Sequence, residues 1–269
     1  MATSDFKMGP KEWDATAEAY ARLREPLTLP YGLDTLTALR VKPGERLLDL
    51  ATGTGGVALA AARRGAEVVA VDWSPSMVSF LDARVKAEGI EGISARVMDG
   101  QNLDLPTAHF DAAYSVFGIM FFPDHRAGLA ELFRVLKPGG RVGVTVWQNP
   151  SRMGHLAIWE RVAHTFGPDV PGSIRPPAWV QMDSSEGLRR EMDGAGFQDV
   201  SVVPITHKWN VQSAKWFVEN FDSSQTFCDR LDAGSRDRMR EAVLTQLRDE
   251  YGDRSFDLIA DAHIAIATK

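Results

Sequence analysis

Cysteine is almost missing from this chain: Cys228 is the single one in 269 residues. No intramolecular disulfide and no cysteine-built metal site can therefore form. There is no run of lysine and arginine, and 36 acidic residues outweigh 30 basic ones for a net charge of -6. Such a chain lacks the basic footprint of a nucleic-acid binder, so no nucleic-acid partner is expected. No apolar stretch approaches the roughly 18 residues that a membrane span needs. The opening MATSDFKMGPKEWDATAEAY is polar and charged, without the apolar core of a secretory leader. These absences predict a cytoplasmic protein. What is present is ordinary for a globular protein, with 44% hydrophobic and 25% charged residues. Seven tryptophans are the one compositional surplus.

The length corresponds to about 1.8 domains at roughly 150 residues each. Ala15, Ala19 and Leu23 repeat every four residues and predict a helix over Lys11–Leu23. A second, shorter helix is expected over Gly32–Arg40, stopped by Lys42-Pro43-Gly44. From there apolar runs alternate with helical patterns. RLLDL (46–50), EVVAV (67–71), 94–98, FDAAYSV (110–116) and RVGVTVW (141–147) read as strands. Helices are expected over 57–64, 76–87 and 126–136. Alternation of this kind predicts a parallel, doubly wound sheet covered on both faces. Residues 150–182 read as a loop with one helix near 156–164, and 186–195 as a helix. Strand composition returns at 200–209 and 262–267, with Met239, Val243, Leu247 and Tyr251 marking a helix between them.

The chemistry concentrates in Asp49-Leu-Ala-Thr-Gly53-Thr-Gly55-Gly56, between a strand and a helix. Glycines there permit a sharp turn and a ligand lying against the backbone. The helix start offers free N–H groups to a carboxylate or phosphate. Asp72, 19 residues after Gly53, stands at the distance from which an acid reaches ribose hydroxyls. Gly53-x-Gly55-x-x-Ala58 also satisfies a dinucleotide fingerprint, so an NAD(P)-dependent oxidoreductase is one reading. Against it, Asp49 suits an ammonium group better than a pyrophosphate, and no Tyr-x-x-x-Lys pair follows.

Further segments decide between the two. LLDLATGTGG, VVAVDWSPSMV, ARVMDGQNLDLP, and FDAAYSVFGIMFFPD followed by ELFRVLKPGGRV resemble the successive motifs of class I S-adenosylmethionine (SAM)-dependent methyltransferases. The resemblance covers residues 45–147 and is nearest to the small-molecule enzymes of ubiquinone and menaquinone biosynthesis. Two positions depart from it: Ala51, where many members carry glycine, and Gly56, where an acid is common in that subgroup.

The resemblance implies a Rossmann-like α/β fold with a doubly wound seven-stranded sheet, its last strand antiparallel, plus helical cap and lid elements. It implies one methyltransferase domain over 1–269, with an N-terminal helical lid (1–44), a SAM-binding core (45–147) and a substrate-side half (148–269) carrying a helical insert at about 210–256. SAM is the implied cofactor. Gly53 and Gly55 would let the backbone approach its methionine end, and Asp49 would face the ammonium. Asp72 would accept the ribose hydroxyls, Trp73 would lie against the adenine, and Asp99 would accept the adenine amino group with Gly100 and Gln101 beside it. Ala51 and Met77 would also border the cofactor. Ser115 would end the strand nearest the sulfonium, and Tyr20 would fold over the cofactor.

For the acceptor side, Trp13, Phe117, Met120, Trp147, Trp159, Trp179 and Trp216 are the candidate lining residues. They suit a flat or apolar small molecule. Methyl transfer in line needs alignment of an O, N or C nucleophile, with a base where that nucleophile is a hydroxyl. Of six histidines, His109 and His125 read as surface residues and His263 as structural. His155 and His164 follow the fifth strand, and His155 is the candidate base. The SVFG after strand four replaces the Asn-Pro-Pro-Tyr type of motif used on planar amino groups. A non-catalytic SAM-binding partner protein is the remaining reading. Monomer and homodimer are both open.

Overall fold

The computed structural model describes residues 9–163, 165, 176–221 and 232–269. Seven strands form one sheet: β1 (Arg46–Leu50), β2 (Glu67–Asp72), β3 (Ile93–Val97), β4 (Phe110–Val116), β5 (Leu136–Trp147), β6 (Gln198–Val211) and β7 (Phe256–Thr268). Their order across the sheet is β3-β2-β1-β4-β5-β7-β6. The pairs β1–β2, β1–β4, β2–β3 and β4–β5 are parallel. The last strand is antiparallel: Lys269 N–H donates to Gly140 at 2.9 Å and Gln148 N–H to Asp261 at 3.1 Å, so partner numbers fall as β5 advances. This is the Rossmann-like, seven-stranded sheet with an antiparallel last strand that the resemblance implies.

The order reverses between β1 and β4, which makes the carboxyl ends of those strands the natural ligand position of a doubly wound sheet. Register keeps these ends level, with Asp49 opposite both Ala70 of β2 and Tyr114 of β4.

The chain divides into two compact units. Among the described residues, one comprises 9–146, 176–205 and 262–269, and the other 147–163, 165, 206–221 and 232–261. The first holds α1 (Pro10–Asp14), α2 (Ala17–Ala19), a wide π turn (Tyr20–Arg24), α3 (Glu25–Ala38), α4 (Gly56–Arg63), α5 (Pro75–Glu88), α6 (His125–Val135), α8 (Pro177–Met182) and α9 (Ser185–Gly194). The second holds α7 (Gly154–Ala163), α10 (Ala214–Asn220) and α11 (Ala233–Tyr251).

In the first unit, Leu36 of α3 and Leu39 just after it, Leu59 and Ala61 of α4 and Leu81 of α5 pack with Leu47, Ala70 and Ala112 of the strands. Thr35 of α3 reaches Thr145 of β5 by a buried hydroxyl–hydroxyl bond of 2.6 Å. Gly32 lets α3 lie against α4, since a Cβ there would meet Val57 at 2.3 Å.

In the second unit Trp159 is fully buried, its Nε1–H donating to the Phe221 carbonyl at 3.0 Å. Trp209 lies 4.1 Å from Phe221 and 6.3 Å from Trp216 between ring centroids, and His155 lies 5.9 Å from Trp209.

Three sequence expectations need correction. The helix expected over Lys11–Leu23 is interrupted after Asp14, because the Thr16 hydroxyl turns back to the Trp13 carbonyl at 3.0 Å and competes with helix propagation. The helix expected from Gly32 starts instead at Glu25. Pro26 lacks an N–H and its ring presses on the carbonyl four residues back, which accounts for the widened turn ahead of it. Residues 150–182 contain a second helix, α8, besides α7. Among the described residues, no helix is long and apolar enough to cross a membrane.

Candidate cofactor site

The loop after β1 is built by three left-handed residues: Ala51 at φ 61°, Gly53 at φ 56° and Gly55 at φ 84°. Gly55 is required on two counts, because a Cβ would also strike Leu81 at 2.2 Å. Ala51 is a strained position for a side chain. Its methyl is accommodated because residue 118 is glycine: a Cβ there would meet the Ala51 Cβ at 2.4 Å. The departure from the family's glycine at 51 is thus matched by a small residue across the site.

Two acids sit at the ends of β1 and β2, both almost fully buried. Asp49 accepts from the Thr52 hydroxyl at 2.9 Å, and burial pushes its carboxyl up to about 7 against that bond and the influence of Tyr114. The Tyr114 hydroxyl is buried opposite Asp49. Asp72 accepts from Gly53 N–H at 2.9 Å and Ser74 N–H at 3.0 Å. Burial nonetheless raises its carboxyl above the usual range. Carboxylates left short of positive charge in a dry place are suited to a ligand that brings a cation and donors.

The remaining expected residues gather around these ends. Trp73 is half-buried beside Asp72, and Met77 is buried in the first turn of α5, whose Ser74 cap accepts from Met77 N–H at 3.2 Å. Asp99 is exposed in the turn after β3 and accepts from both the backbone and side-chain N–H of Gln101 at 2.9 Å. Gly100 is packed so closely that a Cβ would meet Phe122 at 2.6 Å. Ser115 is buried at the end of β4 and accepts from Ile119 N–H at 3.2 Å. Phe117 follows at φ 56°, its ring edge-on to Tyr31 at 5.2 Å.

Tyr20, on the π turn, comes within 3.5 Å of the Cβ position of Gly53, and burial raises its hydroxyl to about 12. Trp13 joins Tyr20 to Phe121, with centroids 6.4 and 5.6 Å away, and Phe121 lies 6.3 Å from Trp179. Met120 is fully buried. A narrow cleft here is lined by Tyr20, Glu25, Asp49, Ala51, Thr52 and Val116, among others. Trp147, His155, Trp159 and Trp216 belong to the other unit, while His164 and Cys228 lie outside the described residues.

The expectation that the α4 start offers a free N–H is corrected at its first position. Gly56 N–H donates to the Glu25 carboxylate at 3.1 Å. His125, expected at the surface, is buried because its Nε2 pairs with Glu191 at 3.0 Å, where Arg126 also binds the carboxylate. Sequence reasoning missed Glu25, Asp14 and Arg84. Asp14 accepts from the Ser74 hydroxyl at 2.5 Å and Ser76 N–H at 3.0 Å, a contact spanning about 60 residues that no local pattern announces.

Comparison with known proteins gives this geometry a family. Residues 47–140, the span from β1 into β5, match the family model of a methyltransferase domain. A demethylmenaquinone methyltransferase of Thermus thermophilus is 34% identical over 167 residues, covering 58% of this chain and 76% of that protein. An uncharacterized protein of Mycobacterium tuberculosis is 33% identical over 159 residues, 59% of this chain; the match spans only 57% of that relative's length. In fold, the YcgJ protein of Bacillus subtilis superposes with a TM-score of 0.59 at 18% identity, over 88% of this chain and 97% of that one. With the acids, the left-handed loop and the sheet order already in place, these matches assign the chain to the class I SAM-dependent methyltransferase family.

Proposed function

We propose that the protein transfers a methyl group from SAM to an O, N or C atom of an apolar or aromatic small molecule. The observation that carries this reading is the pair of buried, cation-poor carboxylates at the ends of β1 and β2, beside a loop that a ligand can approach closely. When bound, SAM supplies a methyl group on an electron-poor sulfonium. The chain's own part is to bind and orient. Asp49 receives an ammonium, and Asp72 receives a diol through the outer lone pairs that Gly53 and Ser74 leave available. The Asp99–Gln101 turn and Trp73 border a purine.

Glu25 favours this reading over a dinucleotide enzyme. Its carboxylate holds the first N–H of α4, where a pyrophosphate would otherwise rest, and a second anion there is repelled. The aromatic row Tyr20, Trp13, Phe121 and Trp179 gives an apolar wall within the same unit. With the likeness to a demethylmenaquinone methyltransferase, it supports a flat, quinone-like or secondary-metabolite acceptor. His155 is assigned the role of base for a hydroxyl acceptor, with Trp147, Trp159 and Trp216 as further acceptor residues.

Calorimetric titration tests the reading. S-adenosylhomocysteine (SAH) is expected to bind at micromolar concentrations and NADP not at all, and the reverse result would reject it. His155→Ala is expected to retain SAH binding and lose turnover on a phenolic acceptor. Unchanged turnover would remove His155 from the chemistry.

A further inference from the structure

Gly56 opens α4 without a side chain, and the space a side chain would take is already filled. A Cβ built there would lie 2.7 Å from Cδ of Glu25. The Glu25 carboxylate accepts from Gly56 N–H at 3.1 Å and from the buried Thr54 hydroxyl at 2.6 Å. Nη1 of Arg84, on α5, donates to both its oxygens at 2.8 Å and to the Thr54 carbonyl at 3.0 Å. The Glu25 side chain is only 13% exposed. A carboxylate at a helix start, bonded to a guanidinium and a hydroxyl, is a strong local anchor.

What it anchors is the N-terminal segment. Glu25 is the first residue of α3, directly after the π turn whose Tyr20 covers Gly53. Its own side chain shares a cleft with Tyr20, Asp49, Ala51 and Val116. One carboxylate therefore joins the π turn, the glycine loop and α5.

We propose that Glu25 is a positioning residue that latches the N-terminal segment onto the glycine loop and so sets how long the cofactor is held. This rests on the cofactor reading just given. The acid is supplied from a separate helix to a position that α4 leaves bare, so its charge and its place on α3 act together.

The full chain with SAH as probe tests this. E25Q keeps the shape and removes the charge. It is expected to release SAH about tenfold faster, the loss of one charge-assisted contact, and to speed hydrogen exchange over residues 17–38. E25A/G56D places an acid on α4 itself, with no tie to α3, and is expected to release SAH as fast as E25A. G56D alone forces two acids into one space and is expected to weaken binding.

An unchanged release rate and exchange pattern in E25Q overturn the proposal. A lowered melting temperature with unchanged release does so too, since that marks a purely structural residue. Wild-type release in E25A/G56D also counts against it, since an acid with no tie to α3 would then suffice. If the wild type binds no SAH, the cofactor reading falls by itself, and exchange in E25Q still decides whether Glu25 holds the segment.

Discussion

In its proposed role of holding an ammonium, Asp49 would couple binding to pH. Its carboxyl titrates near 3.9 in an unfolded chain, and burial lifts it to about 7 in the folded one. Between these values the folded protein keeps a proton that the unfolded chain has lost, so this group's contribution to stability falls as pH rises across that window. Asp49→Asn is therefore expected to stabilise the ligand-free protein at pH 8 by roughly 2–4 kcal/mol and to change little at pH 4, as thermal melts at the two pH values check. The same variant should lose most of its affinity for SAH. In the wild type, an ammonium ligand requires the ionised form, so affinity is expected to drop about tenfold per pH unit below 7. A flat calorimetric profile between pH 5.5 and 8.5 would contradict this. Ala51 and Gly118 form a second residue-scale pair. Gly118→Ala puts two methyl carbons in contact far closer than packing allows and should cost about 1–3 kcal/mol. Adding Ala51→Gly should recover part of that loss in chemical denaturation, leaving the contact of the new methyl with Ser115 Oγ.

Elements show where the sequence was readable. β4 is found at Phe110–Val116 and α5 at Pro75–Glu88, within a residue or so of expectation, because their patterns and caps are local. The acids Asp49 and Asp72 were legible for the same reason: each ends a short apolar run beside glycine or a Ser-Pro start. The N-terminal helices were not, since Thr16 and Pro26 redirect them and their docking depends on partners far along the chain. Asp14 meets α5 across 62 residues and Glu25 meets α4 across 31. His125 was missed on similar grounds: its burial depends on Glu191, 66 residues away. Ser74 is the point where a local cap and a distant contact coincide, since it accepts from Met77 N–H and donates to Asp14. Ser74→Ala should cost about 1 kcal/mol from the cap alone. It should also raise hydrogen exchange in α1, a distant effect that a simple cap loss would not produce.

At the scale of the molecule, each compact unit has its own buried centre. Trp159 lies at one of them, stacked on Phe217 with centroids 6.5 Å apart. Trp159→Ala is expected to cost about 3–5 kcal/mol. Exchange should rise in α7, α10 and α11, while the amides of β1, β2 and β4 keep their protection. Uniform exchange across both units would refute independent cores. Sequence pattern carried the parallel half of the sheet, but the second unit is assembled from aromatic contacts among residues 155–221 that periodicity does not encode.

The bare Gly56 has a consequence for how relatives are compared. The span matched by the family runs over 47–140 and leaves out residue 25. Read along that span alone, position 56 carries no charge. In three dimensions a carboxylate stands at the start of α4 all the same, supplied by Glu25. A comparison confined to the matched span is therefore blind to the acid at this helix start.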